Sequence, residues 1–272
     1  MSGEAPPGAQ HGRLATICRG GTGRRLVLVH GFTQTTRSWD PIVEQLAPGH
    51  RTVAVDAPGH GDSAHADAGL DEGARLLAEV GGTATYVGYS MGGRMCLHLA
   101  LERPDLADGL VLIGATPGIE DDVERAARRR ADDELAASIE RDGVDAFLDR
   151  WLGQPLFATL TTAAPGLEDR RRNSPDGLAA SLRNAGTGSQ EPLWDRLGEL
   201  DMPVLLVVGE LDAKFTAVAE QMAARIGDVT VAPVAGAGHS AHLERPDVVV
   251  EILERWLDDH PPRTSPTEAS AP

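Results

Sequence analysis

The stretch TATYVGYSMGGRMCLHLALERP, residues 83–104, constrains the fold more than any other part of the chain. A β-branched apolar run leads into Gly88-Tyr89-Ser90-Met91-Gly92, and a helix-like pattern follows as far as Pro104. Glycines two before and two after the serine permit a sharp strand-to-helix turn. Such a turn exposes the Ser90 hydroxyl. It also aims the Met91 N–H and the positive end of the helix dipole at the same point, where a developing oxyanion would be stabilised. A chance Gly-x-Ser-x-Gly in a loop would lack the flanking strand and helix.

Five further short apolar runs punctuate the chain: RLVLVHGF, RTVAVDAPG, GLVLIGATPG, VLLVVGELD and VTVAPVAG. Near-continuous apolar strands joined through helices predict a mostly parallel sheet with helices on both faces. From Gly118 to about Leu197 the Val/Ile runs stop and Ala, Arg, Asp, Glu and Leu dominate. This reads as a helical cap, residues 118–197, inserted before the last strands, between core segments 13–117 and 198–260. Residues 1–12 and 261–272 are rich in small residues and proline and are expected to be disordered.

Hydrophobic content of 41% suits a globular core, and the formal net charge is −16. Such an acidic chain is a poor partner for nucleic acid or an anionic membrane. An anionic ligand would need a local arginine cluster working against the global field. The two cysteines, Cys18 and Cys96, form neither a disulfide framework nor a metal knuckle, so no metal site is expected. The N-terminus lacks a cationic-then-apolar signal pattern, and no apolar run is long enough to span a bilayer. The expected location is cytoplasmic, as a monomer or homo-oligomer.

After the serine, LLVVGELDAKF puts Asp212 just beyond a strand, with Glu210 as a competitor, and VAGAGHSAHLERP puts His239 in a Gly-rich loop, with His242 as a competitor. The order Ser, acid, His is the one an α/β-hydrolase fold requires, and Ser90, Asp212 and His239 are the expected triad. His30 precedes the serine and reads as a brace for the loop after RLVLV, where the Phe32 N–H supplies a second oxyanion donor beside Met91. His50, His65 and His98 read as surface or core, and His60 as the same by default. Arg94, four residues after Ser90, is expected on the first exposed turn of the elbow helix, facing the cleft. Arg125, Arg128, Arg129, Arg130, Arg170, Arg171 and Arg172 crowd the cap, where most would pair with nearby acids. Arg94 with one or two of them would clamp a substrate bearing two or more carboxylates.

GYSMGGR, GATPGIEDDVERAARR, FLDRWLGQPLFA, GLAASLRNAGTGSQ, GELDAKF and AGAGHSAHLERP together resemble the 2-succinyl-6-hydroxy-2,4-cyclohexadiene-1-carboxylate synthases of menaquinone biosynthesis, from about Arg24 to about Asp258. The resemblance implies a small-molecule tricarboxylate substrate, elimination of pyruvate after proton abstraction from a ring, and no cofactor. It also implies that Ser90 acts as a base and that Arg94 and Arg128 bind carboxylate. Arg170, or Arg171, takes the third arginine position, and Tyr89, Trp151 and Phe157 line the site. Phe32 and Met91 would stabilise the dienolate. Two other functions fit the same motifs: hydrolysis of carboxylated esters or C–C bonds, and non-catalytic binding.

Overall fold

A computed structural model describes residues 13–161, 164 and 166–263; the two expected disordered tails lie essentially outside them. Seven strands form one sheet in the order β1-β3-β2-β4-β5-β6-β7: β1 (Thr16–Gly20), β2 (Arg25–Val29), β3 (Arg51–Val55), β4 (Ala84–Tyr89), β5 (Ala107–Ile113), β6 (Val204–Gly209) and β7 (Val229–Val234). All neighbours are parallel except β1, which pairs antiparallel with β3. Strand β1 gave no sequence signal: all five of its residues are exposed, so backbone pairing holds it without an apolar pattern.

The pleat sends alternate residues of the inner strands into two clusters. Leu26, Leu28, Leu205 and Val207 enter one, while Val27, Val29, Leu206 and Val208 enter the other. Helices α1 (Asp40–Leu46) and α8 (Pro246–Asp259) cover the first face. Helices α2 (Leu70–Gly81), α3 (Met91–Glu102) and α6 (Ala213–Ala223) cover the second. In α2 the apolar positions Leu70, Ala74 and Leu77 recur at helical spacing and set which side packs down. Burial on both faces explains why these strands carry so few polar residues.

Between β5 and β6 the chain makes α4 (Asp122–Leu152), which kinks at Gly143, and α5 (Pro175–Ala185). Asp121 accepts from Glu124 N and Ser174 from Gly177 N, so a side chain caps the start of each helix. The two helices share a cluster of their own, with Ile139, Phe147, Leu178 and Leu182 at its centre. Leu193, Trp194 and Leu197, at the end of this insertion, pack in the main core instead. A one-turn helix, α7 (Ala241–Glu244), precedes α8. Because β3 and β4 flank β2 on opposite sides, the sheet has a crevice beyond the carboxyl ends of β2 and β4, under the insertion.

Candidate active site

Ser90 stands between β4 and α3 at φ 49° and ψ −109°, a conformation costly for a residue with a side chain. Its surroundings compel it. A Cβ on Gly92 would lie 2.2 Å from the Val29 carbonyl oxygen, and one on Gly88 would lie 2.5 Å from that of Gly92. Only glycines let α3 start this close to β2, and Ser90 N donates to Ile113 O at 2.9 Å to fix the turn against β5. The Met91 and Phe32 N–H groups have no acceptor among the described residues. Both residues line the pocket that holds Ser90.

His239, in the loop after β7, approaches Ser90 Oγ with Nε2 at 3.4 Å, a loose contact of the kind that tightens around a ligand. Its Nδ1 lies 2.7 Å from Asp212 Oδ2. Asp212 also caps α6 through Phe215 N, so helix and imidazole hold the carboxylate together. The competitors have other partners. Glu210 accepts from Gly236 N, away from Ser90. His242 is wholly buried, its ring 4.2 Å from Tyr89 and 4.8 Å from Trp39, and burial holds it neutral.

His30 braces its loop as expected: its Nε2 accepts from Ala57 N at 3.0 Å, which leaves Nδ1 protonated to donate to Gly31 O at 2.8 Å. Burial lowers its pKa to about 4. His60 does more than the default reading allowed. It donates from Nδ1 to Pro58 O, accepts from Thr33 N at 3.2 Å, and burial lowers its pKa to about 3.

The arginines divide sharply. Arg94 lines the pocket, but it is buried, 6% exposed, and not on an exposed turn. The end of α5 closes over it, and it donates to Ala185 O at 2.7 Å and Gln190 Oε1 at 3.2 Å. Burial, reinforced by the positive charge of Arg128, pushes its pKa down to about 10. Arg128 also lines the pocket and donates to Asp132 Oδ1 at 2.8 Å. Arg170 is 1% exposed and touches Thr33 Oγ1 and Phe32 O through Nη1, while its Nε and Nη2 are buried without partners. Burial lowers its pKa, too, to about 10. Among the described residues neither Arg94 nor Arg170 pairs with a carboxylate. Arg171 lies outside the pocket and pairs with Asp145 and Glu168. Arg125 and Arg172 likewise pair with local acids.

Tyr89, Trp151 and Phe157 also line this pocket. Trp151 stacks edge-on to Phe32 at 5.3 Å, and Phe157 reaches toward His239 at 6.4 Å. The Tyr89 hydroxyl lies 2.8 Å from Ser240 Oγ, and burial pushes its pKa upward. Lys214, two after Asp212 and the chain's one lysine among 25 Lys and Arg residues, also lines the pocket. It lies in the GELDAKF motif that carried the resemblance but was given no role at the site, and Ser181 and Phe215, which line the pocket too, were not named.

Residues 26–252 match the alpha/beta hydrolase family. A 2-succinyl-6-hydroxy-2,4-cyclohexadiene-1-carboxylate synthase of Enterobacter sp. (strain 638) is 35% identical over 85% of this chain and 91% of that protein. One of Salmonella schwarzengrund is 35% identical over 85% of this chain and 93% of that protein. The chain belongs to the alpha/beta hydrolase family and, within it, to that of the 2-succinyl-6-hydroxy-2,4-cyclohexadiene-1-carboxylate synthases. The structure of MenH from S. aureus superposes with a TM-score of 0.85 at 28% identity, covering 91% of this chain and 98% of that one. A thermophilic esterase from Thermogutta terrifontis, solved with malate bound, gives 0.76 at 25% identity, covering 91% and 94%. The alpha/beta hydrolase scaffold thus carries, in this chain, a serine–histidine–aspartate contact series beneath a roof that holds Arg170 without a carboxylate partner among the described residues.

Proposed function

We propose that the chain eliminates pyruvate from 2-succinyl-5-enolpyruvyl-6-hydroxy-3-cyclohexene-1-carboxylate, giving 2-succinyl-6-hydroxy-2,4-cyclohexadiene-1-carboxylate in menaquinone biosynthesis. The observation that carries this reading is Arg170, a buried guanidinium with two unpaired nitrogens lining the same pocket as Ser90 and His239. A buried cation without a counter-charge is costly, and a ligand carboxylate would complete it. The names of the Enterobacter and Salmonella relatives support the same reaction.

In this reading the protein is a carbon–oxygen lyase, and Ser90, Asp212 and His239 are its catalytic triad. Arg94, Arg128 and Arg170 hold carboxylates, residues 118–197 act as the cap, and Tyr89, Trp151 and Phe157 shape the space around the ring. His239 takes the Ser90 proton as Ser90 Oγ takes a ring proton, and Asp212 stabilises the imidazolium. The charge left on the substrate carbonyl oxygen is met by the Phe32 and Met91 N–H groups. The ring C–O bond then breaks, its electron pair leaves on oxygen, and the imidazolium proton returns to that oxygen; the released enol becomes pyruvate. No water enters, and the carboxylate clamps keep the acidic C–H within reach of Ser90.

The test is pyruvate release from the enolpyruvyl substrate. Acceleration over the spontaneous rate, lost in Ser90→Ala, supports the reading, and equal rates with and without protein sink it. A second reading, hydrolysis of carboxylated esters, draws on the strained Ser90 hydroxyl and on the likeness to the malate-bound esterase. A burst of product from such an ester with an acyl group trapped on Ser90 would favour it.

A further inference from the structure

Apart from Ser90, Thr33 is the non-glycine residue with positive φ among the described residues, at 70°. A β-branched side chain disfavours that geometry and persists there only where its surroundings over-determine it. Thr33 is fully buried, and each of its three polar atoms has a partner, one from the loop after β3 and two from the segment 170–173. Its N–H donates to His60 Nε2 at 3.2 Å, its Oγ1 accepts from Arg170, and its carbonyl accepts from Asn173 Nδ2 at 2.7 Å. Asn173 is itself pinned, its Oδ1 accepting from Gly61 N at 2.8 Å. Beside them Thr35 donates to Asp169. Thus the short segment 169–173 of the insertion grips the loop that begins with Phe32.

We propose that Asn173 is a positioning residue which, with Arg170 and His60, locks Thr33 in the left-handed region and so aims the Phe32 N–H at the substrate oxyanion. The inference rests on the functional reading above. A Thr33 relaxed to negative φ would swing the Phe32–Thr33 peptide, and the compensating change in the Phe32 torsions would turn the preceding Gly31–Phe32 peptide, whose N–H is the Phe32 donor, off the point it shares with Met91. Arg170 adds a link, because the guanidinium that meets the ligand carboxylate also holds Thr33. Seating of the substrate and alignment of the oxyanion donor are therefore set by one cap segment.

The experiment measures kcat, KM and melting temperature for pyruvate release by wild type, Asn173→Ala, Thr33→Gly and the double variant. Outright loss of an oxyanion donor costs about 10²–10³ in kcat, so misaiming one in Asn173→Ala should cost on the order of tenfold, with KM within about threefold. Glycine adopts positive φ without help, so the same change in Thr33→Gly should cost less than about threefold. A kcat for Asn173→Ala within about twofold of wild type, or a loss confined to KM, overturns the proposal. So does a double variant in which the two losses simply multiply. If Asn173→Ala does not fold, the double variant decides: kcat near that of Thr33→Gly supports the lock, and a further tenfold loss refutes it. If wild type releases no pyruvate, the functional reading fails by itself. The same ratios are then read on p-nitrophenyl acetate hydrolysis, which needs the same donor.

Discussion

Ser90 and Asp212 follow strands that are paired on both sides, and His239 follows the edge strand β7, so sheet geometry sets their spacing. Arg128, Arg170, Trp151 and Phe157 hang instead from the helices and turns of the insertion above. The floor is electrostatically closed: His239 faces Asp212, and Asp212 caps α6. The roof is open, since Arg170 leaves two nitrogens unpaired and finds no carboxylate among the described residues. A closed floor can serve many reactions of this fold, whereas an open cationic roof selects what enters. On the proposed function, the chemistry would lie in the core and most of the selectivity in the insertion, with Arg94 on α3 the exception, and substitutions should separate them.

The largest effect is expected on the floor. Ser90→Ala should lower kcat for pyruvate release by about 10³-fold or more while a non-reacting dicarboxylate such as succinate still binds. Loss of succinate binding as well would mean that floor and roof are not separable. On the roof, Arg170→Ala should lower kcat/KM by about 100-fold, because a substrate carboxylate loses a desolvated partner. Its neighbour Arg171→Ala should stay within about twofold, since exposed ion pairs contribute little. Equal effects at 170 and 171 would erase the distinction between a buried cation and a solvated one.

The floor has a pH liability that the roof lacks. His30 and His60 have folded pKa values of about 4 and about 3, below the ordinary 6.5, and His242 is lowered as well. The unfolded chain therefore binds more protons than the folded one between those values. The stability these imidazoles contribute should be full above pH 6.5 and fall as pH drops toward 4, by about 1.4 kcal/mol per unit for each of them. Urea melts from pH 7 to 5 check this, and His60→Gln should flatten the slope by about one such increment. An unchanged slope would assign the acid sensitivity to carboxylates. The smallest effect is expected at the rim, where Lys214→Ala should raise KM by about fivefold and leave kcat within twofold, as for one exposed charge on a bound anion.

Much of the floor was legible because its signals are local. The Gly88 and Gly92 spacing around Ser90, and the order of Asp212 and His239 after their strands, mark backbone requirements that few other residues meet. The inner strands declared themselves through apolar content imposed by burial on both faces. Strand β1 stayed silent because an exposed edge strand needs no apolar pattern. His60 and Thr33 were illegible for another reason: their roles come from contacts with each other and with Asn173, which lies 140 residues from Thr33.

By itself the sequence determined the strand–turn–helix at Ser90, the parallel sheet and the presence of an arginine-rich insertion. These follow from conformational preferences and apolar periodicity, which act over a few residues. Only the tertiary structure decided which arginines are free. Arg170 and Arg171 are adjacent and chemically identical, yet one turns inward to meet Phe32 and Thr33 while the other turns out to Glu168 and Asp145. Burial is a property of what packs against a residue. For Arg170 that is a loop 138 residues away, which no local pattern encodes.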